Sequence, residues 1–289
     1  MTMLLIGADG QLGSELRQAF SDRDLVPLTH AELELTDRTQ VRDVLRKYGP
    51  HLILNTAAYH RVDECEDFAD RAFAVNAIAV RDLAIIANEI GAALVHFSTD
   101  YVFDGKKLTP YHEVDPPGPL SVYATSKLAG EYFIKATLPQ HFVIRTCGLY
   151  GQAGSRSKMG NFVETMLRLA REGREIRVVG DQIVTPTSAN ELAFKIRQLV
   201  ETDAYGLYHM TNNGECSWYQ FAKMIFELSG VQANLHKTTG AAYGARAVRP
   251  AYSVLDNANL RSLGLDDLSD WRNALEVYLR NRVSETSTS

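Results

Sequence analysis

The sequence of 289 residues has little cysteine and no cysteine or histidine pattern typical of a metal site or a disulfide framework. Its three cysteines, Cys65, Cys147 and Cys216, are widely spaced and form no Cys-x-x-Cys pair. This pattern is typical of reduced thiols in a cytoplasmic protein, rather than of disulfides or structural zinc. The histidines show no metal-ligand spacing either, so we expect no metal.

Three further absences exclude other classes of protein. The formal net charge is −5, so the chain lacks the basic footprint of a nucleic-acid-binding protein. The first apolar run, Met3-Leu4-Leu5-Ile6, stops at Gly7 and is too short for a signal peptide or a membrane span. No Gly-x-Ser-x-Gly sequence is present, which argues against an α/β-hydrolase. We expect a cytoplasmic protein that binds neither nucleic acid nor membrane.

Short apolar runs alternate with helical patterns through the first half of the chain, which predicts a doubly wound parallel α/β sheet of the Rossmann type. The predicted strands are residues 3–6, 25–28, 52–55, 93–97 and 142–146. The pattern changes after Gly151. We predict a dinucleotide-binding domain over residues 1–150, to which residues 176–201 and about 245–258 return. Most of residues 151–289, including a strand at 206–210, would form a smaller, discontinuous lobe for the substrate.

Glycines at positions 7, 10 and 13 lie between the first predicted strand and the helix predicted at residues 11–20. Glycines in this place allow a tight turn and let backbone N–H groups approach a pyrophosphate at the helix N-terminus. The sequence therefore predicts a dinucleotide site, although its spacing differs by one residue from the three-glycine pattern of lactate-type dehydrogenases.

The end of the second strand bears on the choice between NAD and NADP. An acid there would bond the ribose 2′-hydroxyl and repel a 2′-phosphate, but this chain has Thr29-His30. We therefore expect NADPH, with NADH as the alternative because no Arg follows directly. Asp37 would either sit beside the adenine or cap the helix predicted at 39–48.

Tyr123 and Lys127 are four residues apart and lie on one face of a predicted helix. A nearby ammonium lowers the pKa of a phenol, which suits proton transfer to a developing alkoxide. Ser98 and Thr99 end the fourth strand, where doubly wound sheets bind ligands, and a hydroxyl there can orient a substrate carbonyl. Asn76 either holds backbone near the site or satisfies a buried carbonyl.

With these motifs in place, the chain resembles the extended short-chain dehydrogenase/reductases, and within them the dTDP-4-dehydrorhamnose reductase family. The most specific matches are Ser98-Thr-Asp-Tyr-Val-Phe-Asp-Gly105 and Tyr123-Ala-Thr-Ser-Lys127. Further matches are residues 5–16 and 55–59, Val62-Asp63 with Glu66, Ala74-Val75-Asn76, Arg145-Thr146, residues 149–151 and 161–163, Asp181-Gln182, Thr185-Pro186-Thr187, and Arg249-Pro250 with Ser253.

The resemblance implies NADPH-dependent reduction of the C4 ketone of a nucleotide-linked 6-deoxy-hexulose, with dTDP-L-rhamnose as the expected product. It implies Thr99, Tyr123 and Lys127 as catalytic residues and Tyr101 as a substrate contact. The full predicted cofactor set is Gly7, Asp9, Gly10, Gln11, Leu12, Gly13, Asp37, Ala57, Ala58, Tyr59, Asn76 and Lys127. The predicted substrate set is Tyr101, Arg61, Val62, Asn161 and Arg249.

Two departures from the family pattern leave the exact hexulose open. The family commonly has Ser-Trp where this chain has Cys147-Gly148, so the aromatic wall of the sugar site is expected to be missing. Arg61 stands where a small residue is usual. Some members also bind Mg²⁺ at a dimer interface through glutamates, and Glu15 matches one such position. We therefore expect no metal, with Mg²⁺ as an open alternative, and the sequence leaves a homodimer open.

The diphosphate of such a substrate needs donors outside the cofactor site. The candidates are Arg156 and Lys158, the N-terminus of the helix that begins near Asn161, and a bidentate contact from Arg249. Two other functions stay open at this point. One is a nucleotide-sugar epimerase or dehydratase, although Tyr101 stands where dehydratases commonly have Glu. The other is a non-catalytic NADP-binding regulatory subunit, because fold alone does not prove turnover.

Overall fold

The computed structural model describes residues 1–152 and 160–286. The strands in these ranges are β1 (Met3–Ile6), β2 (Leu25–Leu28), β3 (Leu52–Asn55), β4 (Ala93–Thr99), β5 (His141–Thr146), β6 (Leu149–Tyr150), β7 (Glu175–Val179), β8 (Ile183–Val184), β9 (Thr187–Ser188), β10 (Gly206–His209), β11 (Cys216–Ser217) and β12 (Asn234–Thr238). The helices are α1 (Gln11–Ala19), α2 (Arg38–Tyr48), α3 (Val62–Asp67), α4 (Ala69–Phe73), α5 (Ala79–Glu89), α6 (Val122–Thr137), α7 (Phe162–Arg171), α8 (Ala189–Leu199), α9 (Trp218–Ser229), α10 (Gly240–Tyr243), α11 (Ala258–Ser262) and α12 (Trp271–Thr286). No helix among the described residues has both the length and the apolar character to cross a membrane.

Six of these strands form a parallel sheet in the order β10-β5-β4-β3-β1-β2. Because all the pairs are parallel, the carboxyl ends of the strands lie along one edge. Ile6 pairs with Asn55 across β1 and β3, and Asn55 pairs with His96 across β3 and β4. The strand order reverses between β1 and β3, which is where such sheets bind ligands. The predicted doubly wound parallel α/β fold is confirmed.

Each face of this sheet is covered by helices, as the alternation of side chains along a strand requires. On one face, Leu5 and Leu54 pack with apolar residues of α1 and α8. On the other face, Leu4 and Ile53 pack with residues of α2, α5 and α6. Burial on both faces explains why the strands read as continuous apolar runs in the sequence.

A second apolar core lies in the C-terminal part of the chain. It joins residues of α7, β7, α9 and α12, with Phe221 and Trp271 at its centre. Helix α9 is fixed at its start by a capping box, in which Ser217 and Gln220 each bond the other's backbone N–H. This lobe stands beside the carboxyl edge of the parallel sheet, because Asn161 and Trp218 line one cleft with Thr99 at the end of β4.

Two strands differ from the sequence-based prediction in their sheet. We expected residues 176–179 to return to the central sheet, but β7 pairs with β12 in a separate two-stranded sheet. We assigned residues 206–210 to the smaller lobe, but β10 forms the edge of the central sheet beside β5. A short edge strand that is only partly buried, such as β10, resembles a lobe strand in sequence, which accounts for the second error. The exact division of the chain into two lobes stays a prediction.

A π-helical turn, Ala74–Ile78, lies between α4 and α5. Helix α6 packs against this turn at Gly130, where a Cβ would overlap the carbonyl oxygen of Asn76. Such one-turn π segments frequently occur at functional sites. Glycine is therefore required at position 130 by the close approach of the two segments.

We expect Gly130→Ala to destabilise the fold, although Ala favours helix by about 1 kcal/mol over Gly. The added Cβ meets backbone that cannot rotate away, and overpacking of this kind costs about 1–3 kcal/mol. Urea denaturation should show a lower free energy of unfolding than in wild type. Lys135→Ala, at an exposed position of the same helix, is the control and should change stability little. Equal or greater stability of Gly130→Ala would contradict the packing account.

Candidate functional site

A cleft of about 1010 Å³ runs along the carboxyl ends of the central strands. It begins at the turn after β1, passes the ends of β3 and β4, and reaches α6 and the smaller lobe. The predicted site residues that line it are Gly7, Asp9, Gly10, Gln11, Leu12, Ala57, Ala58, Tyr59, Arg61, Thr99, Tyr101, Tyr123, Lys127 and Asn161. The structure thus brings most of the predicted cofactor and catalytic residues to one cleft.

The turn between β1 and α1 is shaped to receive an anion. Gly7 has a positive φ of 79°, which favours glycine, and a side chain there would meet Thr56. Helix α1 begins after Gly10, which supplies no side-chain cap. The first N–H groups of such a helix need a partner from outside the helix. A pyrophosphate fits this requirement.

Three side chains with complementary chemistry meet in the middle of the cleft. Thr99 ends β4, while Tyr123 and Lys127 lie on the first two turns of α6. Helix α6 is capped by Ser121, whose hydroxyl accepts the N–H of Ala124. The Thr99 hydroxyl faces the Tyr123 phenol. This arrangement can orient a carbonyl oxygen and protonate it.

The pKa of the Tyr123 phenol differs from the sequence-based expectation. Burial raises it above its ordinary value, and the nearby Asp100 carboxylate adds to the rise. The lowering expected from Lys127 is absent, because the ammonium is held elsewhere: its Nζ lies 3.3 Å from Nε2 of His96. Lys127 is only 2% exposed, and this burial lowers its pKa to about 8, although Glu131 opposes the shift.

His96 is a buried contact of Lys127 that the sequence reading missed. Its Nδ1 lies 3.2 Å from Nδ2 of Asn55, and the Asn55 Oδ1 accepts the N–H of Ala57. Burial and the nearby Lys127 hold the pKa of His96 well below its ordinary value, so the ring is neutral. The chain of contacts ties Lys127 to the middle of β4 and to the end of β3.

Apart from Arg249, which is described with the second cavity below, four predicted cofactor or substrate residues do not line the cleft. Gly13 instead lets α1 approach the turn closely, since a Cβ there would overlap the carbonyl oxygen of Gly7. Asp37 caps α2 by accepting the N–H groups of Thr39 and Gln40. Val62 begins α3 behind the cleft wall.

Asn76 is the fourth, and it is completely buried. Its side chain accepts the N–H of Tyr59, donates to the carbonyl of Tyr59, and donates to the hydroxyl of Ser126 on α6. Both roles left open by the sequence are present, because Asn76 holds backbone beside the cleft and also satisfies the carbonyl of Tyr59. Asn76 acts on the cleft through the backbone of Tyr59, which does line it.

A second cavity of about 290 Å³ adjoins the cleft on the side of the smaller lobe. Tyr101 and Trp218 line both spaces, so they stand at the junction. Aromatic and basic side chains contribute to the second cavity, among them Phe162, Tyr243 and Arg177. These side chains suit a ligand in which a flat ring is joined to a negatively charged group.

Arg249 lines this second cavity rather than the first. Its two terminal nitrogens donate to the two carboxylate oxygens of Asp63 at 3.1 and 2.9 Å. The bidentate face of the guanidinium is therefore taken by Asp63, and the predicted bidentate contact with a diphosphate is wrong in this arrangement. The positive charge still lies at the cavity wall.

Trp218 corrects the expectation that the cleft lacks an aromatic wall. Its ring edge would lie 3.1 Å from a Cβ placed on Gly148, so the indole occupies the space beside the residue where the family has Trp. Trp218 follows Ser217 at the start of α9. No sequence pattern signals this role, because an apolar residue at that position is typical of the core of the smaller lobe.

The far end of the cleft, beyond β2, is lined by His30, Glu34 and Thr36. The His30 Nε2 lies 2.9 Å from a Glu34 carboxylate oxygen. Hydrogen bonds from the Thr36 backbone N–H and hydroxyl hold the pKa of Glu34 below its ordinary value. The Glu34 carboxylate therefore faces this end of the cleft. It lies four residues after the Thr29-His30 pair on which the prediction of NADPH was based.

The remaining candidate residues were predicted to bind an anion or a metal. Asn161 caps α7 by accepting the N–H of Glu164, and its amide donates to the carbonyl of Gly151. Arg156 and Lys158 lie outside the described residues. Glu15 accepts bonds from the N–H of Gln152 and from Asn190. Within residues 1–152 and 160–286 no cluster of His, Cys, Asp and Glu suited to a metal is found.

Comparison with known proteins gives relatives over the whole chain. The family described as RmlD substrate binding domain matches residues 1–283. The chain is 41% identical over 287 residues to the spore coat polysaccharide biosynthesis protein SpsK of Bacillus subtilis, covering 98% of this chain and 99% of that protein. It is 35% identical over 305 residues to the dTDP-4-dehydrorhamnose reductase of Escherichia coli, covering 99% and 100%.

The fold is likewise similar to that of a solved reductase. The structure of dTDP-4-dehydrorhamnose reductase from Bacillus anthracis, in complex with NADP, superposes with a TM-score of 0.93 at 38% sequence identity. The match covers 97% of this chain and 100% of that one.

Proposed function

Because the chain belongs to the RmlD substrate binding domain family, which includes dTDP-4-dehydrorhamnose reductases, we propose that it reduces the C4 ketone of dTDP-4-dehydrorhamnose to give dTDP-L-rhamnose. It is an NAD(P)H-dependent oxidoreductase of the extended short-chain dehydrogenase/reductase type. The observation that carries the proposal is the meeting of Thr99, Tyr123 and Lys127 in a cleft that starts at an uncapped helix N-terminus.

The residues of the cleft fit a bound dinucleotide. Gly7 and Gly10 let the pyrophosphate approach the first N–H groups of α1, and Ala57 and Ala58 leave room beside β3. The buried amide oxygen of Gln11 has no hydrogen-bond partner among the described residues and lies in this wall. When bound, NADPH supplies the hydride for the sugar carbon.

The residues of α6 and β4 would handle the proton. Tyr123 donates its phenolic proton to the sugar oxygen as negative charge develops there. Thr99 donates a hydrogen bond that stabilises the resulting phenolate. Lys127, which also lines the cleft, would hold the nicotinamide ribose. Burial strengthens each of these electrostatic effects, because little water remains to screen them.

The second cavity is the proposed site of the nucleotide and diphosphate. Phe162 and Tyr243 offer faces on which a pyrimidine ring can stack, while Arg177 and Arg249 supply positive charge. The sugar would then lie at the junction, between Tyr101 and Trp218, with its C4 oxygen directed toward Tyr123. Tyr101 contacts Tyr123 edge to face at a centroid distance of 6.3 Å. This contact keeps the two rings next to each other.

We propose NADPH as the cofactor, in line with the NADP complex of the Bacillus anthracis relative. NADH stays an alternative because the Glu34 carboxylate lies where a ribose 2′-hydroxyl would be accepted and a 2′-phosphate repelled. We further propose that the protein acts in the cytoplasm. A homodimer and the absence of Mg²⁺ stay predictions.

The direct test is to supply dTDP-4-dehydrorhamnose and NADPH and to follow the loss of NADPH absorbance. We expect turnover in wild type and a loss of about 10²–10⁴-fold in kcat for Tyr123→Phe, which removes the proton donor. Tyr132→Phe is the matched control, because Tyr132 lies on the same helix and is 56% exposed. Turnover only with a different nucleotide hexulose would keep the mechanism and overturn the substrate.

Arg249→Ala should raise KM for the nucleotide sugar by about three- to tenfold, or about 1 kcal/mol, and leave KM for NADPH unchanged. The reason is that its charge lies at the second cavity, away from the dinucleotide. Arg246→Ala is the control, since Arg246 pairs with Asp67 and lines neither cavity. An effect of Arg249→Ala on NADPH instead of the sugar would place the nucleotide elsewhere.

Glu34→Gln should shift preference toward NADPH. Removal of the carboxylate relieves repulsion of the 2′-phosphate, so the ratio of kcat/KM for NADPH to that for NADH should rise by about three- to tenfold. Glu32→Gln, two residues away and outside the cleft lining, should leave the ratio unchanged. A constant ratio in Glu34→Gln would show that the adenosine ribose does not meet this carboxylate.

A further inference from the structure

The Thr99 hydroxyl has one proton and two oxygen neighbours that could receive it. Its own oxygen accepts the backbone N–H of Tyr101 at 3.2 Å. The Asp100 Oδ1 lies 3.1 Å away, and the Tyr123 phenol faces the hydroxyl from α6. A hydroxyl donates once and accepts twice. The neighbour that accepts the hydrogen bond from the Thr99 O–H therefore decides the direction of hydrogen bonding through Thr99.

Asp100 is a buried acid that the proposed function does not use. It is 3% exposed and lines the cleft. Its Oδ2 and the nearby Ser253 hydroxyl oxygen are both buried without a hydrogen-bond partner among the described residues. An acceptor left in this state costs free energy if it carries a charge. The neutral acid is the form that this environment favours.

We propose that Asp100 is a positioning residue for the proton donor, and that its carboxylic acid form turns the Thr99 hydroxyl toward Tyr123. When Asp100 is a carboxylate, it accepts a hydrogen bond from the Thr99 hydroxyl. The Tyr123 hydroxyl then donates its hydrogen bond to Thr99. As an acid, Asp100 donates to Thr99, Thr99 donates to Tyr123, and the phenolic proton is directed at the substrate. No proton leaves Asp100 in this arrangement. The inference rests on the proposed function of the cleft.

The groups around the carboxyl make this protonation accessible near neutral pH. Burial raises the pKa of Asp100 to about 6, although the polar groups of Ser253, Cys147 and Thr99 that face the carboxyl act in the opposite direction. The other titratable side chains that face it are Tyr101 and Tyr123. Arg249 acts on Tyr101 from the second cavity. Two bound diphosphates would add negative charge and displace water, and both effects favour the acid further.

The test is the pH dependence of kcat/KM for the nucleotide sugar, which reports groups of the free enzyme. In wild type the rate should fall as pH rises through about 6, where Asp100 ionises, and again near 8, where Lys127 does. Asp100→Asn keeps a donor toward Thr99 at every pH, so the first fall should vanish and the second remain. Asp104→Asn, outside the cleft lining, should keep both. Persistence of the first fall in Asp100→Asn would overturn the proposal.

Infrared difference spectroscopy gives a measurement that needs no turnover. In the NADP⁺ complex at about pH 5.5, exposed carboxyls with pKa values near ~4 are ionised. Wild type should therefore show the C=O band of a buried carboxylic acid that Asp100→Asn lacks. If Asp100→Asn instead lacks a carboxylate band that wild type shows, Asp100 is ionised and the acid form is refuted. If wild type reduces no nucleotide sugar but shows this band, the proposed function fails while the protonation of Asp100 stands.

Discussion

The close approach of α6 to the π-helical turn, at Gly130 and Asn76, is the contact on which the site depends. Helix α6 carries Tyr123 and Lys127, so its position against the sheet decides where the proton donor and the ammonium lie. The same contact lets Asn76 bond Ser126 on one side and the Tyr59 backbone on the other. One packing constraint thereby aligns the catalytic helix with the cleft wall after β3.

Burial changes the chemistry of the aligned side chains, because several polar groups in the middle of the cleft contact one another away from water. Lys127 contacts His96, His96 contacts Asn55, and Thr99 contacts Asp100. Desolvation raises the pKa values of the phenol and the carboxyl and lowers that of the ammonium. All three shifts favour neutral forms, so charge that develops on a substrate oxygen meets oriented dipoles rather than fixed opposing charges.

The sequence was sufficient for the parts of the structure that rest on local pattern. Apolar runs located the first five strands, and the glycine turn and the Tyr-Lys pair follow from fixed spacings along one element. Contacts between distant elements were not accessible. The sequence pattern assigns Trp218 to the core of the smaller lobe, whereas its position beside Gly148 depends on how α9 packs. Arg249 was predicted to bind a diphosphate, but Asp63, which is distant in sequence, engages it. For Asp37 the sequence left an adenine contact and a helix cap open, and the structure shows the cap.

The central claim is that the cleft delivers hydride from the dinucleotide to the sugar C4 carbon beside Tyr123. The most direct measurement uses NADPH deuterated at the nicotinamide C4 with dTDP-4-dehydrorhamnose, and locates the label in the product by NMR. We expect one deuterium at the sugar C4 carbon. Deuterium at another carbon, or a product that carries none because the sugar is rearranged without net consumption of NADPH, would contradict the account.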